Sequence, residues 1–156
     1  MLEVVQAAFG DRGHEDVDLC RTVWRSNGYL PSMDLVAEHD DRVVGHALHS
    51  VGIIEGVEVP ALAPLSVLPD RQREGIGSAL VSEALGRADK GAYPFVLLTG
   101  DWNYYGRLGF EPAVPLGISP LTPQAFPDLR AFMIYRLSAF QPVEGTFRYC
   151  WERAGA

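Results

Sequence analysis

Two glycines stand where a helix is predicted to begin, in the segment VLPDRQREGIGSALV (residues 67–81). Glycine is a poor helix former, but because it has no Cβ, Gly75 and Gly77 can turn successive backbone N–H groups towards one point. The first N–H groups of a helix have no partner within it, and the helix dipole favours negative charge there. Arg71 and Arg73 add positive charge nearby. The segment therefore predicts a loop that binds an anion and suits a pyrophosphate.

Two common phosphate-binding motifs fit this segment less well. The dinucleotide fingerprint G-x-G-x-x-G would need a third glycine where Leu80 stands, and a Walker A loop would need a lysine that the segment lacks. The plain alternative is a helix start with two glycines and no ligand. The pattern favours the anion-binding interpretation over these three.

A pair of tyrosines in GDWNYYGRLGF (residues 100–110) is the second feature with chemical potential. A phenol can donate a proton to a leaving group. On a helix, Tyr104 shares a face with Leu108, which indicates packing, whereas Tyr105 falls on another face near Trp102. For both tyrosines, packing alone is the ordinary alternative.

Both segments resemble the GNAT family of acyltransferases. Residues 72–77, QREGIG, match the family motif Q/R-x-x-G-x-G/A, and residues 100–110 look like the G-D-x-x-Y-Y-x-R-[FL]-G-F segment of one bacterial subgroup. The resemblance covers about residues 5–115. It implies the GNAT acyl-CoA acyltransferase fold, with acetyl-CoA as co-substrate and no metal.

The resemblance also implies roles for individual residues. The glycine loop would hold the pyrophosphate of acetyl-CoA, and the backbone of residues 65–68 would bond the pantetheine amides and the thioester oxygen. Tyr105 would act as the general acid that protonates the departing thiolate. The implied cofactor-binding residues are Leu65, Ser66, Val67, Leu68, Gln72, Arg73, Glu74, Gly75, Ile76, Gly77, Ser78 and Ala79.

The general base stays open at this point. The strand before the glycine loop contains no carboxylate, where many family members carry a glutamate. Glu58, His46 and His49 are the candidates, and a relay through water is the alternative to all three. We assign no base from the sequence.

The function implied is an N-acetyltransferase that moves an acetyl group from acetyl-CoA directly to a primary amine of a small molecule or a peptide. A non-catalytic module that binds coenzyme A as a sensor is the alternative, and thiol release with a panel of amines would separate the two. Nucleotide binding by the glycine loop is a third hypothesis, which stabilisation by ATP but not by coenzyme A would reveal.

The spacing of apolar residues along the chain alternates between the period of a helix and that of a strand. Proline cannot donate to a strand ladder, so Pro64 belongs at an edge, a bulge or a place where strands part. The predicted order is helix, helix, hairpin, strand, helix, strand, helix and late strands, which indicates a mixed α/β fold. Helices are predicted at 2–9, at 75–88 and at 102–108, the last with Asp101 as its N-cap, and a further helix ends at Asn27-Gly28. A hairpin is predicted around 39–42, with strands at 59–68, 93–100, 131–138 and 146–152.

The start of the chain departs from the family pattern. GNAT chains usually begin with a strand, but here the helical residues 2–9 come first, so the first strand is missing from the pattern. Residues 35–39 would then form an exposed sheet edge, which leaves a homodimer open as an alternative to a monomer. The late strands, 131–138 and 146–152, are predicted to complete the opposite side of the sheet.

The composition bears on the number of domains, on possible partners and on the cellular setting. The 156 residues predict one GNAT-like domain over 1–156, and a net charge of −7 argues against nucleic-acid binding. Cys20 and Cys150 lack metal-site spacing, so we predict no metal site and a reduced, cytoplasmic setting. The sequence shows neither a signal peptide pattern nor an apolar run of membrane-spanning length, so no membrane association is predicted.

Overall fold

A central sheet with helices on both faces organises the chain, and the computed structural model describes residues 1–151. The helices are α1 Leu2–Phe9, α2 Gly13–Arg25, α3 Ile76–Lys90 and α4 Trp102–Arg107. The strands are β1 Leu35–His39, β2 Arg42–Ile54, β3 Val57–Val67, β4 Phe95–Thr99, β5 Glu111–Pro112, β6 Ile118–Ser119, β7 Phe132–Arg136, β8 Gly145–Thr146 and β9 Arg148–Tyr149.

The strands of the main sheet follow the order β1-β2-β3-β4-β7-β5. β3 and β4 run parallel, and the other neighbours run antiparallel. The long hairpin of β2 and β3 forms the middle of the sheet, and α3 connects β3 to β4. The mixed α/β fold predicted from the sequence is therefore confirmed.

The two faces of the sheet carry different covers. On one face, Leu80 and Val81 of α3 pack against Ala47, Leu62 and other buried residues. The opposite face is covered in two parts. The α1 and α2 helices pack Val5, Val17, Cys20 and Val23 around Leu48 of β2, and the segments after β5 pack around the aromatic residues of β4 and β7.

The predicted local elements agree well with the structure. The first helix spans residues 2–9, so residues 1–6 contain no strand, as predicted. Asp40 and Asp41 turn the β1–β2 hairpin with left-handed φ values of 50° and 60°. Within residues 1–151, β1 pairs with β2 alone, which makes it an edge strand of the sheet.

One prediction about the late strands is wrong. Residues 132–136 do pair with β4 on the opposite side, but the 146–152 segment does not join them there. Instead β9 pairs with Gly52 and Ile53 of β2, and β8 pairs with β6 in a separate two-stranded sheet. Phe147 is 2% exposed and packs in the aromatic core, so its burial draws this segment back across the sheet. Residue 152 lies outside the described residues.

Across residues 1–151, the helices all fall short of the length and apolar character that crossing a membrane would require.

Candidate active site

β3 and β4 separate part-way along their length. They pair at only two positions, Ala61 with Leu97 and Leu62 with Leu98. Beyond Leu62, β3 stays paired with β2 but has no neighbour on its other side among the described strands. This end of β3 therefore borders an open gap.

A bulge at Ala63 and Pro64 marks the point of separation. The β2–β3 register shifts here, because Leu62 pairs with His49 while Leu65 pairs with Ala47. Two β3 residues thus oppose one residue of β2, and proline has no N–H to offer a neighbouring strand. The prediction that Pro64 lies at a bulge or a parting of strands is confirmed.

The free backbone groups at this gap belong to alternate residues. The Leu68 N–H donates to the Val44 carbonyl at 2.9 Å, and the Leu68 carbonyl accepts from the Arg71 N–H at 2.9 Å. Because backbone groups alternate sides along a strand, the N–H groups of Leu65 and Val67 face away from β2 and into the gap. Of residues 65–68, Leu65 and Val67 are therefore the two that present backbone N–H groups to the gap.

The glycine loop begins where β3 ends. Gly75 has a left-handed φ of 86° and precedes the first residue of α3, and Arg73 has a φ of 66°. The Ala79 N–H bonds the Gly75 carbonyl at 3.0 Å, so the N–H groups before it stand free at the helix start. These groups and the helix dipole together form an anion-binding surface.

The missing side chain of Gly77 keeps space open in front of this surface. A Cβ at Gly77 would lie 3.0 Å from the Tyr104 hydroxyl oxygen and 3.7 Å from the side chains of Leu65 and Val67. A cavity of about 410 Å³ occupies this region. Eight of the predicted cofactor-binding residues line it: Leu65, Val67, Gln72, Arg73, Gly75, Ile76, Gly77 and Ser78.

The other four predicted residues do not line this cavity. Ser66 and Leu68 are buried, at 1% and 6% exposure. Glu74 forms an ion pair with Arg71 at 2.9 Å, and Ala79 is an exposed residue of the first turn of α3. Side chains on a strand point to alternate faces, which explains why Leu65 and Val67 line the cavity while Ser66 does not.

A second cavity, of about 670 Å³, lies at the parting of β3 and β4. Leu62, Pro64 and Leu98 border it on the strand side, and it shares Gln72 and Tyr104 with the first cavity. The cavity at the glycine loop and the cavity at the strand gap therefore lie next to each other.

Comparison with known proteins identifies this arrangement. The profile of the acetyltransferase (GNAT) domain matches residues 32–112. The N-acetyltransferase YhbS of Escherichia coli strain K12 is 30% identical over 138 residues, which cover 80% of this chain and 75% of YhbS. The chain belongs to the GNAT acetyltransferase family.

Further relatives of this GNAT domain include proteins of known structure. The N-acetyltransferase YjhQ of E. coli K12 is 31% identical over 114 residues, and the match covers 70% of this chain but only 62% of YjhQ. The crystal structure of E. coli YhbS in complex with CoA superposes with a TM-score of 0.82 at 25% identity, covering 94% of this chain and 81% of that one. A GNAT acetyltransferase from Brucella melitensis in complex with acetyl-CoA gives a TM-score of 0.69 at 31% identity, with 95% and 86% coverage.

The tyrosines of this GNAT domain pack differently from the sequence-based expectation. Tyr105 packs its ring edge-on against Tyr104, with centroids 4.9 Å apart, and against Phe110 at 5.8 Å. The Tyr104 hydroxyl instead lies 3.3 Å from the Ser78 Oγ, at the glycine loop. Tyr104 rather than Tyr105 therefore reaches the start of α3, and Tyr104 does not simply pack on Leu108. Both tyrosines line the second cavity.

Burial strongly raises the pKa of the Tyr105 phenol, and the nearby Tyr104 and Asp101 raise it further. A phenol with a raised pKa keeps its proton at neutral pH. Tyr105 is therefore a protonated phenol at the wall of the second cavity.

None of the three base candidates lines either cavity. Glu58 is exposed and pairs with Ile53, towards the far end of the β2–β3 hairpin. His46 and His49 are at most 1% exposed. The His46 Nε2 lies 2.7 Å from Asp34 Oδ1, and the His49 Nδ1 lies 2.9 Å from the Met33 carbonyl. Their local partners indicate structural roles.

Asp34 is the centre of a buried polar cluster beneath α2. Burial alone would raise the pKa of its carboxyl group, but hydrogen bonds from His46, Tyr29 and Trp24 outweigh that effect and lower it. The Tyr29 hydroxyl donates at 2.7 Å and the Trp24 Nε1 at 3.0 Å. These bonds fix the segment between α2 and β1 against the sheet.

Two carboxylates that the sequence reasoning did not select line the second cavity, Asp16 from α2 and Asp101 from the β4–α4 corner. Asp101 caps α4, as predicted, because its Oδ1 accepts from the Asn103 N–H at 2.9 Å. Burial and the neighbouring Glu15 raise the pKa of Asp16. In the sequence, Asp16 stands in the first turn of an amphipathic helix and looks like an ordinary surface acid.

Proposed function

We propose that this GNAT domain is an N-acetyltransferase that transfers an acetyl group from acetyl-CoA directly to a primary amine. One observation carries the proposal: β3 loses its β4 neighbour beside the cavity of the glycine loop and at the border of a second cavity. The first cavity suits the co-substrate and the second suits the acceptor.

The backbone supplies the contacts to coenzyme A in this proposal. The free N–H groups at the start of α3 bind the pyrophosphate, and the glycine positions let it approach closely. The N–H groups of Leu65 and Val67 bond the pantetheine arm as a neighbouring strand would. Gln72 stabilises this edge, because its Nε2 donates to the Val67 carbonyl at 3.1 Å.

The reaction then needs three events at the strand gap. A neutral amine attacks the thioester carbon, which forms the new C–N bond and a tetrahedral oxyanion. The C–S bond breaks, and Tyr105 donates its proton to the departing thiolate. The products are the N-acetyl amine and coenzyme A. A water relay removes the amine's proton in this proposal, since none of Glu58, His46 and His49 lines either cavity.

We also propose that this chain belongs to the bacterial GNAT subgroup with the G-D-x-x-Y-Y-x-R-[FL]-G-F segment. We propose a single domain with a cytoplasmic location. The free edge of β1, where Val36 is 40% exposed, leaves a homodimer as an alternative to a monomer. Solution mass measurements decide between the two.

The direct test of the function measures thiol release from acetyl-CoA with a panel of amines, alongside calorimetric titration of coenzyme A. We expect amine-dependent thiol release and acetylated amine in equal amounts. Tight coenzyme A binding without turnover for any amine would instead favour a sensor module. Stabilisation by ATP but not by coenzyme A would overturn the assignment of the glycine loop.

A further inference from the structure

A third cavity, of about 170 Å³, lies on the face of the sheet opposite α3. Its walls are Pro120, Leu121, Phe126, Phe132, Phe147 and Tyr149. Phe132 lies 5.9 Å from Phe126 and 6.2 Å from Phe147, measured between ring centroids. We call this space the aromatic cavity.

The aromatic cavity and the second cavity both lie at the end of β4, where Thr99 lines each of them. A group bound in the aromatic cavity would therefore lie next to the gap between β3 and β4. This places it within reach of the site where the amine is acetylated in the proposed function.

The size of the aromatic cavity limits what it can hold. An apolar protein cavity of about 150 Å³ binds one benzene molecule. At about 170 Å³, the aromatic cavity has room for one six-membered ring. Aromatic walls favour an aromatic guest through offset and edge-to-face contacts.

The second cavity has a contrasting character. Asp16 and Asp101 supply two carboxylates, and none of the described residues that line it is Lys, Arg or His. The Asp101 Oδ1 accepts one backbone hydrogen bond, and Asp16 lies at the partly buried wall formed by α2. This charge balance attracts an ammonium group and repels a carboxylate next to it.

We propose that the acceptor is a primary amine on a short alkyl chain that ends in a single aromatic ring, with the ring in the aromatic cavity and the amine beside Asp16 and Asp101. This inference rests on the proposed function and names its substrate class. An amino acid acceptor is disfavoured, because its carboxylate would lie among the two acidic side chains.

The test compares matched amines in the thiol-release assay. Phenethylamine carries the ring, n-butylamine replaces it with an alkyl end, and phenylalanine adds a carboxylate. Rates are compared per concentration of neutral amine. We expect kcat/KM for phenethylamine to exceed that for n-butylamine by roughly tenfold to a hundredfold, as burial of one ring predicts. Phenylalanine should be the poorest of the three.

A variant that fills the aromatic cavity tests whether the preference for phenethylamine comes from this cavity. Leu121→Trp puts a larger side chain in the wall of the aromatic cavity and should bring the phenethylamine to n-butylamine ratio close to one. Leu129→Trp is the matched control, since Leu129 is 36% exposed and is not part of the wall, and it should keep the wild-type ratio. Coenzyme A affinity, measured by calorimetry, reports that both variants fold.

A binding measurement separates failure of the inference from failure of the function. Phenethylamine is titrated into protein loaded with coenzyme A, where no transfer takes place. Binding with the expected preference but no turnover would support ring binding in the aromatic cavity and contradict the proposed transferase activity. Turnover of all three amines at similar rates, or a preference that Leu121→Trp leaves intact, would contradict ring binding in the aromatic cavity and support the transferase activity. Neither binding nor turnover of any amine would overturn both.

Discussion

The proposed cofactor side of this GNAT domain consists mainly of backbone groups, whereas the proposed acceptor side consists of side chains. We use cofactor side for β3 beyond its bulge together with the glycine loop, residues 65–78. In the proposed function it binds acetyl-CoA through backbone N–H groups and through the space that missing side chains leave. The proposed acceptor side comprises Asp16, Asp101 and the aromatic cavity, and its side chains come from distant parts of the chain.

This difference teaches which substitutions each side can accept. A backbone surface requires particular glycine positions and one free strand edge, but it tolerates most side chains that point away from the ligand. A side-chain surface can change its shape and charge through single substitutions while the sheet stays intact. The cofactor side is therefore suited to one constant ligand, and the acceptor side to a ligand that differs between relatives.

The largest expected effect comes from filling the space at Gly77. Gly77→Val should abolish measurable coenzyme A binding, because a Cβ there already lies 3.0 Å from the Tyr104 hydroxyl oxygen and the branched side chain would occupy the pyrophosphate position. Gly86→Val in the same helix is the control, since a Cβ at Gly86 meets nothing within 4 Å. Calorimetry that finds equal affinity in both variants would refute the backbone account.

Removing the phenol proton of Tyr105 should change rate rather than binding. Tyr105→Phe keeps the ring and its packing, and we expect kcat to fall by roughly 10²–10⁴-fold with nearly unchanged coenzyme A affinity. Tyr104→Phe should leave kcat almost intact and weaken coenzyme A binding only a few-fold, since it loses one hydroxyl at the glycine loop. Steady-state kinetics and calorimetry check both variants. The opposite pattern would assign the acid to Tyr104.

Lowering the pH should reduce the stability of the fold because the His49 side chain is buried. Burial lowers the pKa of His49 to about 4, against about 6.5 in an unfolded chain. Between these values the unfolded state binds more protons, so stability falls as pH drops. We expect His49 to account for about 2 kcal/mol of the stability lost between pH 7 and pH 5.

Urea unfolding at pH 7 and pH 5 measures the contribution of His49 to this loss of stability. His49→Gln should reduce the decrease in unfolding free energy between the two pH values by about 2 kcal/mol. His14→Gln, at an exposed position, should show the same decrease as the wild type. An identical decrease in all three proteins would show that burial of His49 does not set the acid response.

A smaller effect is expected from neutralising Asp16. Asp16→Asn should raise the KM for phenethylamine by about tenfold or more, because a hydrogen bond to a charged group contributes about 1.5–3 kcal/mol, and should leave coenzyme A affinity unchanged. Asp18→Asn is the control on the same helix, since Asp18 is exposed and pairs with Arg21 at 3.3 Å. An unchanged KM in the Asp16 variant would place the amine elsewhere.

The backbone conformations of the glycine loop, the α4 cap and the β3 bulge were largely predictable from the sequence because their signals are local. The glycine pair, the cap at Asp101 and the bulge at Pro64 each report on a conformation within a few residues of themselves. Local sequence could not decide which tyrosine reaches the glycine loop. That depends on where tertiary packing places the six-residue α4 relative to the start of α3.

The acceptor side was not predictable because its residues meet only after folding. Asp16 and Asp101 are far apart in sequence, and nothing around Asp16 distinguishes it from an ordinary acid at the start of a helix. The return of residues 148–149 to β2 was likewise missed. The burial of Phe147 among other aromatic rings decides that path, and strand propensity does not report such long-range burial.

Amide hydrogen exchange measured by NMR tests the central claim most directly. The claim is that the gap beside β3 receives the pantetheine arm as a substitute strand. At saturating acetyl-CoA we expect strong protection of the Leu65 and Val67 amides, which face the gap. The Leu68 amide serves as an internal reference, because it already donates to Val44 and should change little. Unchanged exchange at Leu65 and Val67, with chemical shifts showing that the glycine loop is occupied, would contradict the account.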